Sequence, residues 1–183
     1  MHLCCDVLNR LAGKTLATAE SCTGGGIGAL LTAIPGSSTV YKGGIISYCN
    51  DVKAKVLKVS QEDLERYGAV SAPVALQMAM GGRRALQADV CVSVTGLAGP
   101  DGDDFGNLLN TDIAVSVTGL AGPDGDEFGH PVGTVFIGYD SVEYSIVRKY
   151  VFTGDREAVR HQAIRVALQI ILEYNECMKK PSR

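Results

Sequence analysis

The feature that most constrains this chain is a strand that hands over to a helix through three glycines, in the stretch Thr15 to Ile27, TLATAESCTGGGI. Thr15 to Ala19 alternates as a short strand does. Thr23-Gly24-Gly25-Gly26 then opens a helix on which Ile27, Leu30, Leu31 and Ile34 recur at helical spacing. Ser21 stands at the handover. Glycine there lets the backbone come close to a ligand, and the first helical turn offers unpaired N–H groups and a positive dipole end. The corner can hold a phosphate, or a developing oxyanion beside a serine nucleophile. It can equally be a glycine-rich turn with Ser21 as the helix cap. Spacing alone leaves both readings open.

A chain of 183 residues that is 46% hydrophobic can bury one sizeable core, and no Pro- or Ser-rich linker divides it, so a single domain over residues 1–183 is expected. The net charge of −3 is spread over interspersed acids and bases, which gives no basic stripe and argues against a nucleic-acid partner. The start of the chain lacks a charged segment followed by a long apolar run, and no stretch approaches ~18 apolar residues. A soluble, cytoplasmic protein with no membrane partner is expected. Six cysteines, at 4, 5, 22, 49, 91 and 177, show neither a CxxC pair nor a histidine at zinc spacing, which fits reduced thiols and no metal. Cys22, beside Ser21, reads as a thiolate nucleophile or as a small half-buried residue under the helix.

Along the chain, Leu3, Val7, Leu8 and Leu11 form a short amphipathic helix ended by Gly13. Pro35-Gly36-Ser37-Ser38 stops the helix after the glycine corner. Val40 to Tyr48 reads as a second strand in which Gly43 and Gly44 imply close approach of something to the backbone. Asn50 is expected to cap a helix with Val52, Val56 and Val59 inward and Lys53 beside Leu57 on an adjoining face. Ser60 and Ser71-Ala72-Pro73 start two further helices. Val132 to Asp140 and Val142 to Phe152 are strands about a tight turn, hence antiparallel, so the sheet is mixed. Asp155 caps a last helix with Val159, Ala163, Val166, Ile170 and Tyr174 inward, and Arg156 in its first turn is placed to meet an anion.

The chain also carries a tandem repeat. Residues 89–106 recur at 112–129, an offset of 23, and only Val90/Ile113, Cys91/Ala114 and Asp104/Glu127 differ. Each copy is an apolar strand followed by a Gly-Pro-Asp-Gly turn, so each can fill the same slot in a sheet. Solenoids need three or more stacked repeats, so this is a local duplication on an ordinary domain. The acidic loops of the two copies lack the spacing and distal glutamate of a calcium-binding EF-hand and read as solvated turns.

For chemistry, His2, His130 and His161 sit near the terminus, in a His-Pro turn and in the last helix, so a Ser-His-Asp triad has no obvious base. The other base for a serine is a lysine whose ammonium is destabilised by burial or a neighbouring cation. Lys53 is the candidate, with Tyr48 as a proton relay. On spacing alone Lys53 reads first as a solvated helix lysine among Lys55 and Lys58.

The strings AESCTGGGIGALLTAIPGSS, YKGGIISYCNDVKAKVL, TGLAGPDGD with HPVGTVFIG, and TGDREAVRHQA resemble, in order and over residues 3 to 174, the C-terminal domain family of the competence and damage-inducible protein CinA. That family includes PncC-type nicotinamide mononucleotide deamidases. The resemblance implies an α/β fold, a three-layer α/β/α sandwich with a mixed sheet, working as a dimer or higher homo-oligomer. It implies an amidohydrolase that takes a small-molecule mononucleotide substrate, converting nicotinamide mononucleotide and water to nicotinate mononucleotide and ammonia, with no metal or organic cofactor. Residue by residue, Ser21 matches the catalytic serine, and Tyr48 and Lys53 match the family's tyrosine and lysine. Thr23, Gly24, Gly25, Asn50, Arg156 and the threonine of TGLAGP are expected at the substrate site. Two features depart from the family pattern: the loop after Ala-Gly-Pro is richer in acids than in glycine, and the threonine segment occurs twice.

Copy two runs directly into His130-Pro131-Val132-Gly133, the junction the family requires, so Thr118 rather than Thr95 is the expected functional threonine, with copy one as an excursion, an edge strand or a loop. A catalytically impaired nucleotide-binding or sensing module of the same family is the alternative, selected by ligand binding without ammonia release.

Overall fold

A computed structural model of the chain describes residues 2–96, 128–143 and 145–176. The elements run α1 (His2–Arg10), β1 (Leu16–Glu20), α2 (Gly26–Thr32), β2 (Tyr41–Ile46), α3 (Asn50–Lys55), α4 (Gln61–Tyr67), α5 (Ala72–Leu86), β3 (Val90–Gly96), β4 (Thr134–Ser141), β5 (Ser145–Val151) and α6 (Arg156–Glu176). The strands form one sheet in the order β2-β1-β3-β4-β5. β2, β1 and β3 are parallel, while β4 and β5 are antiparallel to their neighbours, so the sheet is mixed as expected.

The layers follow from this order. β1 passes to β2 through α2, and β2 returns across β1 to β3 through α3, α4 and α5. Right-handed crossovers that run in opposite directions place their helices on opposite faces of the sheet. Side-chain parity obeys the same division. Val90, Val92 and Val94 of β3 pack with Leu16, Ile27, Leu31, Val159, Ala163 and Ile171 beneath α1, α2 and α6. Cys91 joins Ala17, Ala19, Leu57, Val74 and Met78 beneath α5. The next two residues on that face, Ser93 and Thr95, donate hydroxyl hydrogen bonds to Ala75 O (2.6 Å) and Ala69 O (2.8 Å). Arg83 Nε of α5 meets Asp140 Oδ2 at 2.5 Å, and Ser145 Oγ donates to the same carboxylate, which ties α5 to the β4–β5 hairpin. No helix among the described residues is long and apolar enough to cross a membrane.

The copy-one strand, Val90–Gly96, fills the slot between β1 and β4. It is a central strand, neither an edge nor an excursion as expected. The reason is the short passage from α5: Ala88 N–H donates to Arg83 O and the Asp89 and Val90 N–H groups to Thr15 O, which lays the chain directly beside β1. Copy two up to residue 127, with Thr118, lies outside the described residues.

Of the two glycines of β2, Gly44 makes room for two hydroxyls, while a Cβ on Gly43 would meet nothing within 4 Å. A Cβ on Gly44 would lie 2.7 Å from Tyr41 Oη and clash with Thr18 Oγ1, and those two hydroxyls share a 2.8 Å hydrogen bond. α3 is rotated from the expected orientation. Lys53 and Leu57 are buried at 1% exposure each, whereas Val56 is 45% exposed. Cys49 rather than Asn50 is the N-cap, without a side-chain hydrogen bond, and Asn50 is the first helical residue. On α2, Ile27 and Leu31 are buried but Leu30 is half exposed.

Candidate active site

Adjacent parallel strands whose connections leave toward opposite faces open a crevice at their carboxyl ends. In the order β2-β1-β3 the reversal falls at β1, beside β3; Ser21 follows β1 there, and the 47–48 turn follows its other neighbour β2. The two turns continue the ladder: Ser21 N–H donates to Val94 O (3.0 Å) and Ser47 N–H to Glu20 O (2.8 Å). α3 then leaves at an angle that drops Lys53 into the crevice. Its Nζ lies 3.1 Å from Ser21 Oγ, 2.8 Å from Ser47 O and 3.1 Å from Tyr48 O.

A buried ammonium loses its hydration, and burial pulls the Lys53 pKa from its ordinary 10.5 down to about 8. An ammonium spends its three protons on these three oxygens. The neutral amine keeps two donors for the two carbonyls and turns its lone pair toward Ser21 Oγ, the geometry a general base needs. Cys22 does not compete as a nucleophile: it is buried, and burial pushes its thiol up to about 12.

Ser21 is not a helix cap. The residues 22–25 form a turn before α2, whose N-cap is Gly25 at φ 91°, in the left-handed region that favours glycine. The helix end is closed by Glu20, which sequence reasoning missed. Its buried carboxylate accepts from Thr23 Oγ1 (2.7 Å), Ile27 N (3.1 Å) and Gly28 N (3.0 Å). These α2 amides are therefore not open to a substrate phosphate. Within the turn Gly24 N–H donates to Ser21 O and Gly26 N–H to Thr23 O. The Thr23 and Gly25 amides carry no such internal bond among the described residues, which leaves them as donors for an oxyanion. The sequence signal for Glu20 was an ionisable residue closing an otherwise uncharged strand directly before the serine.

The last helix supplies the third wall. Asp155 caps it by accepting from Ala158 N–H at 2.8 Å, and Arg156 Nη2 donates to Tyr48 Oη at 2.9 Å. One turn on, Arg160 Nη2 donates to Thr23 O at 3.0 Å. Between α2 and α6 lies an open groove of about 450 Å³, with Leu30 and Ile164 as apolar wall and Arg156, Arg160, His161 and the carboxylate of Glu157 as its polar side. Arg156 thus faces both the groove and Tyr48. Of the residues singled out from sequence, Ser21, Thr23, Gly24, Gly25, Tyr48, Lys53 and Arg156 cluster here. Asn50 begins α3 beside Cys49.

Comparison with known proteins agrees with this architecture. The CinA C-terminal domain model matches residues 3–108 and again 103–175, two overlapping passes that include the two repeat copies. A nicotinamide-nucleotide amidohydrolase PncC of Escherichia coli K12 is 40% identical over 160 residues, covering 87% of this chain and 83% of that protein. A CinA-like protein of Thermosynechococcus vestitus is 50% identical over 161 residues, with 86% of this chain matched to 33% of that longer protein. Among solved structures, a competence-damaged protein (CinA) superfamily protein from Klebsiella pneumoniae superposes with a TM-score of 0.81 at 30% identity, covering 96% of this chain and 97% of that one. Strand order, the residues gathered at the carboxyl end of β1 and these matches agree: the chain belongs to the CinA C-terminal domain family.

Proposed function

We propose that this chain is an amidohydrolase that converts nicotinamide mononucleotide and water to nicotinate mononucleotide and ammonia. The observation that carries the reading is the 3.1 Å contact between Ser21 Oγ and a Lys53 Nζ whose pKa burial lowers to about 8. The amidohydrolase name of the 40% identical relative supplies the substrate class.

In this mechanism Ser21 Oγ attacks the carboxamide carbon as its proton passes to the neutral Lys53 amine. The carbonyl electron pair moves onto oxygen, where the Thr23 and Gly25 amides receive it. As the tetrahedral intermediate collapses, the C–N bond breaks. Tyr48 gives its hydroxyl proton to the departing nitrogen, and the proton held by Lys53 replaces it. The Arg156 cation against Tyr48 Oη favours the transient phenolate. Water, deprotonated by Lys53, then opens the ester; the proton on Lys53 returns to Ser21 Oγ, and the remaining water proton, left on the new carboxylic acid, passes to the released ammonia, giving the carboxylate and ammonium. The net change is one water consumed and one ammonia released.

The phosphate dianion of the substrate is met by Arg156 at the edge of the α2–α6 groove. Asn50 and Thr118 complete the proposed substrate contacts, and the chain works as a dimer or higher homo-oligomer, which analytical ultracentrifugation tests. The deciding experiment incubates the protein with nicotinamide mononucleotide and assays ammonia. Release that vanishes in Ser21→Ala supports the reading. Binding with no release selects an impaired nucleotide-binding module instead.

A further inference from the structure

The mechanism above uses Ser21, Lys53, Tyr48 and Arg156, and leaves Glu20 and Arg160 unassigned. Both hold one residue, Thr23. Its hydroxyl donates to the buried Glu20 carboxylate at 2.7 Å, and its carbonyl accepts from Arg160 Nη2 at 3.0 Å across 137 residues of sequence. A carboxylate at 1% exposure is expensive to bury, and among the described residues Arg160 Nε is buried with no hydrogen-bond partner. Neither group sits where its own solvation is best.

Peptide planarity carries the grip to the nucleophile. The Thr23 carbonyl and the Gly24 N–H belong to one planar unit, so fixing the carbonyl on Arg160 fixes the N–H, which donates to Ser21 O at 3.0 Å. The Ser21 carbonyl in turn shares its plane with the Cys22 N–H and sits on the nucleophile's own backbone. From the other side Glu20 holds Thr23 Oγ1 together with the Ile27 and Gly28 amides, so the turn cannot slide along α2. Glycines at 24 and 25, with φ of 61° and 91°, would otherwise leave this segment loose.

We infer that Glu20 and Arg160 are positioning residues that hold the Ser21–Gly26 turn in its reactive shape. The inference rests on Ser21 being the nucleophile. The test compares Glu20→Gln, Arg160→Gln and Arg160→Ala with the unaltered protein. Three quantities are measured: kcat and KM for nicotinamide mononucleotide, and the rate at which a small phosphonofluoridate modifies Ser21, followed by intact-protein mass spectrometry.

Positioning predicts that kcat falls by about tenfold or more with KM within twofold, and that modification slows by the same factor. Free guanidinium should restore part of the rate of Arg160→Ala. A groove contact to substrate would instead raise KM and leave modification unchanged, which overturns the inference for Arg160. Rates of turnover and modification within twofold of the unaltered protein overturn it for both residues. If Glu20→Gln does not fold, the part-exposed Arg160 on α6 decides. A protein that is modified at Ser21 but releases no ammonia refutes the proposed substrate while the modification rates still judge the positioning.

Discussion

Lys53 makes opposite demands on stability and on activity, and pH separates them. A buried lysine whose folded pKa is depressed binds its proton less well in the folded chain than in the unfolded one. The unfolded state therefore holds more protons between pH 8 and 10.5, and stability rises with pH through that window. Two and a half units of depression, at 1.36 kcal/mol each, place the full penalty near 3 kcal/mol below pH 8. Most of it, about 2 to 3 kcal/mol, is relieved between pH 7 and pH 10. Lys53→Met abolishes the term while filling a similar volume. Urea unfolding of both proteins at pH 7 and pH 10 isolates the residue, because every other titrating group is common to both. The stability of the unaltered protein relative to Lys53→Met should rise by about 2 to 3 kcal/mol between these pH values. Equal pH dependence in the two proteins would refute the burial argument.

If the Arg156 guanidinium contacts the substrate phosphate in ground and transition states alike, Arg156→Ala raises KM by one to two orders of magnitude, about 1.4 to 3 kcal/mol, measured by steady-state kinetics, and loss of its contact with Tyr48 Oη lowers kcat as well. Gly81→Ala should destabilise by about 1 to 3 kcal/mol in thermal unfolding. The added Cβ would meet the Leu57 backbone, its carbonyl carbon at 2.8 Å, and backbone cannot swing aside. Thr95→Val strands the Ala69 carbonyl that now accepts its hydroxyl, and should cost about 1 to 3 kcal/mol in urea unfolding. Thr118→Val should lower deamidase activity with stability unchanged; activity lost only in Thr95→Val would overturn the assignment of Thr118.

The strand and glycine corner was legible because local chemistry dictates it: alternation sets the strand, and Gly24 and Gly25 permit the positive φ values that the turn adopts. The mixed sheet was legible from the β4–β5 pattern. Lys53 was not decided by its spacing, since Lys55 and Lys58 share its local pattern. What distinguishes it is the pair of carbonyls, Ser47 O and Tyr48 O, delivered from the end of another strand. Of the valines expected inward, Val59 is buried but Val56 is exposed, because the buried Lys53 sets the inner face of α3. Arg160 reads as a solvated helix residue until α2 is packed against α6. The repeat copies are near-identical, so propensity could not choose between them; the connection from α5 does.

The central claim, that Ser21 attacks and forms an ester, is tested most directly by quenching the reaction with nicotinamide mononucleotide in acid within its first turnover and mapping adducts by peptide mass spectrometry. The account predicts a nicotinoyl mononucleotide ester on the peptide carrying Ser21, absent in Ser21→Ala, together with loss of ammonia release. Ammonia released by Ser21→Ala at the unaltered rate, with no adduct in either protein, would contradict it.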